Sequence, residues 1–275
     1  MKIVAYLGPE HTNAHLAARK KFGKTSRYLH QPTIDDVFTW VERDRADFGV
    51  VPIENSLEGA VTHTLDRFID FKDSPVQIVG EIEFRVQHYF ITKPGLKTSR
   101  VSAVYSHPQA LAQCRRWIET HVAKSCGLIE TSSTAEAVAR VAGSGEAIAA
   151  IGSREASRSH RLSAWPIPDE RENKTRFLIL GKRLPPRSGK SKTSILLALK
   201  DRPGALYDAL MPFKREGINL TKIESRPSKR RAWEYYFFID MAGHASDLKV
   251  KRALTSLKSS TSVLKILGSY PIANG

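Results

Sequence analysis

The sequence predicts an α/β protein in two parts: a body in which strands and helices alternate, then a smaller tail ordered βαββαβ, the ferredoxin-like arrangement. Three observations predict it. The chain has 275 residues, where one compact domain takes about 150. Lys182 to Lys192 holds paired prolines, Gly, Ser and five basic residues, a solvated segment with nothing to bury. The apolar pattern on its two sides differs in element order.

In the body, Met1–Leu7 reads as an apolar strand and Thr12–Phe22 carries helical spacing. Thr33 followed by Asp36 opens a helix to about Arg45 with a capping pattern. Phe48–Ile53 is an apolar run of buried-strand length. Val76, Ile78, Ile82, Phe84, Val86 and Phe90 alternate along one or two half-buried strands. Ser106 with Gln109, and Ser133 with Glu136, resemble two further capping boxes. Ala147–Ile151 and Arg176–Leu180 complete the body as buried strands, and the alternation predicts a largely parallel sheet. In the tail, Ser194–Leu199, Ile218–Ser225, Trp233–Met241 and Val263–Tyr270 read as strands. Pro203–Glu216 and Ser246–Lys258 read as helices, with Pro203 suited to a first turn.

Composition is that of a globular protein, 41% hydrophobic and 26% charged. The amino terminus reads as a strand rather than a signal peptide, and no run approaches the ~18 apolar residues of a membrane span. Two cysteines, Cys114 and Cys126, point to a reducing cytosol. Of the formal charge of +15, the residues from Arg183 onward hold 18 basic against 7 acidic side chains. That excess sits in loops, Lys182–Lys192 and Lys229-Arg230-Arg231, without the interleaved aromatics of a nucleic-acid reader. It is read as solvated surface, with no nucleic-acid partner.

Several polar groups stand where ligands bind. Glu54, Asn55 and Ser56 follow the carboxyl end of the strand Phe48–Ile53, the place where small ligands enter open α/β sheets. The same residues suit a polar turn in which Asn55 or Ser56 caps a helix. His107 and Gln109 stand at a helix start, where free N–H groups suit an anion; Gln109 bonding back to Ser106 is the plainer alternative. Thr175 and Arg176 lie at the mouth of the last body strand. Arg176 can grip a carboxylate by two points, or form an ordinary surface salt bridge. Nine histidines are scattered without a Cys/His cluster, so no metal is expected. The turn Gly8-Pro9-Glu10-His11 lacks the repeated glycines of a phosphate cradle.

In order and spacing, Val51-Pro52-Ile53-Glu54-Asn55-Ser56 with Gly59, Ser106-His107-Pro108-Gln109 and Thr175-Arg176-Phe177 resemble the catalytic signatures of prephenate dehydratase. Gly204-Ala205-Leu206 and Glu224-Ser225-Arg226-Pro227 resemble the two motifs of that family's ACT regulatory domain, so the likeness spans nearly the whole chain. It implies a catalytic domain over 1–181 with two lobes like a periplasmic binding protein, a linker over 182–192 and an ACT domain over 193–272. It implies prephenate as substrate and phenylpyruvate as product, with no cofactor, because no redox step occurs. Thr175 would act on the leaving oxygen, with Glu54 as proton source behind it and His107 as a third catalytic group. Thr12, Asn55, Ser56, Gln109, Arg176 and Phe177 would bind substrate. Phenylalanine would be held by Gly204, Ala205, Leu206, Asn219, Leu220, Glu224 and Ser225, between ACT domains whose open sheet face or edge pairs in a homodimer or homotetramer.

Two points stand apart. The family's first loop usually reads Gly-Thr-(Phe/Tyr)-Ser or Gly-Ala-Asn-Ser, whereas this chain has His11-Thr12-Asn13-Ala14. That bears on substrate preference, and arogenate, the transaminated analogue, is the rival substrate; a non-catalytic phenylalanine sensor is the rival class. The chain also begins directly with the dehydratase segment, so no fused chorismate mutase is expected.

Overall fold

A computed structural model describes all residues except 71–72, 169–171, 188, 229–233 and 274–275. The basic run Lys229-Arg230-Arg231 and the predicted strand start at Trp233 therefore lie outside the described residues.

The first lobe opens with β1 (Ile3–Leu7), α1 (Asn13–Phe22), β2 (Arg27–Gln31), α2 (Ile34–Glu42), β3 (Phe48–Asn55), the short β4 (Gly59–Ala60), α3 (Thr62–Asp70) and β5 (Gln77–Arg85). Thr12 caps α1 and Thr33 caps α2, each accepting an N–H of its first turn. The chain then crosses to the second lobe: β6 (Tyr89–Thr92), β7 (Ala103–Ser106), α4 (Pro108–Gln113), α5 (Arg115–His121), β8 (Gly127–Glu130), α6 (Thr134–Gly143), β9 (Ile148–Gly152), α7 (Arg154–Ser159) and β10 (Ser163–Pro166). It returns to the first lobe as β11 (Lys174–Gly181).

The sheet orders are β2-β1-β3-β11-β5 and β10-β6-β9-β7-β8. Neither is the largely parallel sheet expected. β11 comes back from the other lobe and inserts antiparallel between β3 and β5, while β6 and β10 pair antiparallel beside the parallel β9-β7-β8 set. Two lobe crossings by one chain force these reversals.

Alternation along β3 and β11 sorts their side chains between the two faces of the first sheet. Val50, Phe177 and Ile179 pack with Ala14, Ala17 and Ala18 of α1. Val51, Leu178 and Leu180 pack on the opposite face with Val37, Phe38 and Val41 of α2 and Leu65 and Phe68 of α3. A bulge after Ile53, where Arg176 pairs with Glu54 but Phe177 with Pro52, leaves Ile53 with Val51 in that second core and turns Glu54 to the same face.

The tail comprises β12 (Ser191–Leu199), α8 (Ala205–Arg215), β13 (Leu220–Pro227), β14 (Tyr235–Ala242), α9 (Leu248–Ser260) and β15 (Thr261–Pro271), as an antiparallel sheet ordered β13-β14-β12-β15. The βαββαβ order expected from the sequence is present. Pro203 lies outside α8, whose cap is Gly204 in the left-handed region at φ 78°. One face of the sheet packs on α8 and α9. The other, with Leu196, Ala198, Tyr236, Phe238, Leu267 and Tyr270, shares a core with Phe68, Ile78, Leu178 and Leu180 of the body. The face expected to be open to a second copy is thus covered by the same chain. What remains is the edge β13, along which half-buried and exposed residues alternate. Contact between β15 and β5 is close enough that a Cβ at Gly268 would lie 2.0 Å from the carbonyl oxygen of Ile78.

Candidate active site

The lobes face each other across a cleft of about 560 Å³ lined by Thr12, Asn55, Glu58, His88, His107, Gln109, Gln113, Asn173, Thr175 and Phe177 among others. Residues from β3 and β11 form its floor, the first turns of α1 and α3 one wall, and those of α4 and α6 the other. No Lys or Arg occurs among the described lining residues.

At the floor, Thr175 and Asn55 are direct cross-strand partners, so both side chains project from the same face. The backbone N–H groups of Leu57 and Glu58 donate to Asn55 Oδ1 at 3.0 and 3.2 Å. This fixes the amide: Nδ2 must face the other way, and it donates to Asn173 Oδ1 at 2.7 Å and to Thr175 Oγ1 at 3.0 Å. Because the Thr175 oxygen is an acceptor from Asn55, its own proton is left to donate elsewhere, and the cleft is what it faces. The ordering continues outward. Asn173 Nδ2 donates to Gln113 Oε1 at 2.8 Å, and Gln113 Nε2 donates to Glu58 across the cleft at 3.1 Å. Since Gln113 Oε1 only accepts, the His88 Nε2 at 2.9 Å must carry a proton. Burial holds the His88 pKa below its ordinary value, against the opposing effect of the Gln113 bond, so the ring is neutral near pH 7.

Asn173, Gln113, His88 and Glu58 were not singled out in the sequence. Gln113 carried a weak signal, one helical turn beyond Gln109 and so on the same side; the others carried none. His107 caps α4 by accepting the Gln109 N–H at Nδ1. The capping box expected from Ser106 is absent, because its hydroxyl is buried and donates to Ile151 O at 2.7 Å. Thr12 borders the cleft, but its hydroxyl caps α1 and donates to Leu7 O and Pro9 O. Phe177 is buried beneath the cleft floor.

Three expected site residues are elsewhere. Arg176 follows Thr175 on the strand and so points through the opposite face, where it is 8% exposed. Its guanidinium pairs with Glu81 at 2.7 Å, Glu54 at 3.0 Å and Asp240 at 2.7 Å, and donates to Tyr270 Oη at 3.1 Å. Four of its five N–H donors are engaged on this face of the sheet, turned away from the cleft, so it cannot grip a substrate carboxylate there. Glu54, cross-strand from Arg176, points the same way and also binds Lys222. Burial alone would raise its pKa, but Lys222 and Arg176 reverse this and hold it below the ordinary carboxylate value. It is ionised, turned away from Thr175 and unsuited to supply a proton. Ser56 donates to Glu172 O at 3.0 Å and accepts the Lys174 N–H at 2.9 Å, so its hydroxyl clasps the returning chain instead of lining the cleft.

In the tail, Gly204, Ala205 and Leu206 border a pocket of about 700 Å³ with Tyr207, Tyr235 and Phe237. Ser225 is exposed on the β13 edge, and Glu224 is half-buried on the body side. Asn219 accepts the Ala242 N–H, and Leu220 pairs with Met241. That is the far end of the sheet from Gly204, which follows the end of β12. One chain therefore does not bring the two halves of the expected effector site together.

Comparison with known proteins agrees with this architecture. A family model for prephenate dehydratase matches residues 4–184, and one for the ACT domain matches residues 193–259. The chain is 47% identical to the bifunctional chorismate mutase/prephenate dehydratase of Aquifex aeolicus, over 98% of this chain and 74% of that protein. It is 39% identical to the prephenate dehydratase of Methanocaldococcus jannaschii over 98% of both. The prephenate dehydratase of Arthrobacter aurescens, solved in complex with L-Phe, superposes with a TM-score of 0.89 at 31% identity, covering 99% of this chain and 90% of that one. A two-lobed body with an ACT domain docked behind its cleft, matched along its whole length, places this chain in the prephenate dehydratase family.

Proposed function

We propose that the protein converts prephenate to phenylpyruvate, with Thr175 donating to the departing hydroxyl and phenylalanine acting as feedback inhibitor. Loss of CO2 and water aromatises the ring, so the hard event is release of a poor leaving group, which needs a proton or strong hydrogen bond as the C–O bond breaks. The observation that carries the reading is the fixed amide of Asn55, which makes the Thr175 oxygen an acceptor and frees its proton for the cleft. A threonine hydroxyl is a poor acid in bulk, and its value here lies in position. With no Lys or Arg among the described lining residues, the substrate carboxylates would be met by the N–H groups opening α1 and α6 and by the side chains of His107 and Gln109.

In the tail, an effector would contact Gly204–Leu206 of one chain and Asn219–Leu220 of another. The free β13 edge, with Ile223 44% exposed, supports pairing of two ACT domains, giving a homodimer or a dimer of dimers. Both cysteines are free, and among the described residues no helix is long and apolar enough to cross a membrane; a cytosolic setting fits the first of these.

Turnover of prephenate and arogenate measured side by side tests the substrate; a higher kcat/KM for arogenate would sink that half of the reading. Calorimetry on the intact protein tests the effector, with binding of phenylalanine expected at or below about millimolar concentration and about 1–3 kcal/mol of coupling to substrate.

A further inference from the structure

We propose that Glu58 is a positioning residue for the dehydration: its carboxylate closes a ring of hydrogen bonds that holds the Asn55 amide, and through it the Thr175 hydroxyl, in one orientation. The inference rests on the reading of Thr175 given above.

Four hydrogen bonds close the ring, all running in one direction. The Glu58 N–H donates to Asn55 Oδ1 at 3.2 Å, and Asn55 Nδ2 donates to Asn173 Oδ1 at 2.7 Å. Asn173 Nδ2 donates to Gln113 Oε1 at 2.8 Å, and Gln113 Nε2 returns to the Glu58 carboxylate at 3.1 Å. Each side-chain amide accepts through its oxygen and donates through its nitrogen. None can turn over without setting donor against donor and acceptor against acceptor. Bonds arranged head to tail in this way also polarise and strengthen one another. Two further groups hang from the ring: Thr175 Oγ1, which accepts from Asn55 Nδ2, and His88 Nε2, which donates to Gln113 Oε1.

Glu58 is the exposed link. Asn173 is buried, whereas Ser56, Leu57, Glu58 and Gly59 form an exposed turn between β3 and β4. That turn carries both N–H groups that orient Asn55 Oδ1, those of Leu57 and Glu58. Ser56 and the short β4 pairing hold its two ends, and the Glu58 side chain moors its tip to Gln113 on α4 of the second lobe. A small drift of the turn would carry Asn55 and Thr175 with it, and a misplaced catalytic group is costly in rate. The ring also accounts for the type of residue. Glu58 is the one carboxylate among the described lining residues, in a cleft read as receiving an anionic substrate, where a negative charge alone would repel. What the ring requires at that point is an acceptor for the Gln113 N–H.

The test measures prephenate turnover by the full chain and by Glu58→Ala, Glu58→Gln, Gln113→Ala and the double variant Glu58→Ala/Gln113→Ala, each shown to be folded by circular dichroism. Glu58→Ala opens the ring and should lower kcat about three- to tenfold, with KM within about twofold of wild type. Glu58→Gln can still accept the Gln113 N–H through its amide oxygen and should recover most of that loss. Gln113→Ala opens the same ring from the other side. Adding Glu58→Ala to it should therefore lower kcat by less than about twofold more, because residues of one network do not act independently. The inference is overturned by a wild-type kcat in Glu58→Ala, or by a multiplied loss in the double variant. It is overturned equally if Glu58→Gln is as impaired as Glu58→Ala, since the charge itself would then be at work. Failure of the underlying site reading shows separately, as wild-type turnover by Thr175→Ala.

Discussion

Replacing Asn55 with Asp is close to isosteric and leaves the backbone anchors intact, since either oxygen of the new carboxylate can accept from Leu57 and Glu58. The other side of the group changes sign. Nδ2 now donates to Asn173 Oδ1 at 2.7 Å, Thr175 Oγ1 at 3.0 Å and Lys174 O at 3.2 Å; an oxygen there faces three acceptors. The Thr175 hydroxyl would turn and donate to the carboxylate, withdrawing its proton from the cleft. Loss of a positioned acid costs about 10²–10⁴ in rate. Because the hydroxyl is redirected rather than removed, a fall in kcat of about 10²–10³ is expected, or about 3–4 kcal/mol of barrier. Each buried acceptor left without a donor also costs about 1–3 kcal/mol of stability, so melting should be followed in parallel. Asn55→Ala removes the donor without installing a competing acceptor and should keep more activity than Asn55→Asp. Phenylpyruvate formation reports all three proteins. A folded Asn55→Asp enzyme within about threefold of wild-type kcat would refute the assigned proton direction.

Other expectations follow from single residues. His11 stands where the family carries glycine and adopts φ 66°; its N–H donates to His15 and its carbonyl accepts from Ser153, both backbone groups. His11→Gly keeps these bonds and relieves a strained conformation, so activity should stay within about twofold; a collapse would mean the imidazole itself touches substrate. His15 is stacked on Tyr6, and burial lowers its pKa from 6.5 to about 4. Above the unfolded value the ring is neutral in both states and its contribution to stability is complete. As pH falls from about 6.5 to 4, the unfolded chain takes up a proton that the folded chain refuses, and about 3 kcal/mol is lost. Melting curves across that window should show the decline, and His15→Gln should flatten it. Gly268→Ala would force a Cβ onto the Ile78 carbonyl, and a loss of about 1–3 kcal/mol is expected from overpacking, read as a lower Tm; an unchanged Tm would mean the ACT sheet is not seated on β5.

Much of the fold was legible because apolar period and caps agree. Thr33 and Ser133 cap helices as their spacing suggests, and β12–β15 follow the βαββαβ order read from the sequence. What was missed lacked that redundancy. β8 is exposed along its whole length, so it carries no buried stripe, and α3 shows only Leu65, Phe68 and Ile69 among polar residues. Adjacent residues on a strand face opposite sides, so Thr175 and Arg176, or Asn55 and Glu54, cannot share one cleft; the pleat divides each motif between the cleft and the face packed against the ACT sheet. Asn173, Gln113 and His88 were invisible for another reason: they meet through contacts 25 to 118 residues apart, which no local pattern encodes.

The most direct measurement is the rate of phenylpyruvate formation from prephenate by the intact protein and by Thr175→Ala under the same conditions. The account predicts turnover by the wild-type chain and a kcat lower by about 10²–10⁴ in the folded variant, with Thr175→Ser recovering part of it. A chain that forms no phenylpyruvate, or a folded Thr175→Ala variant that turns over within about threefold of wild type, would contradict it.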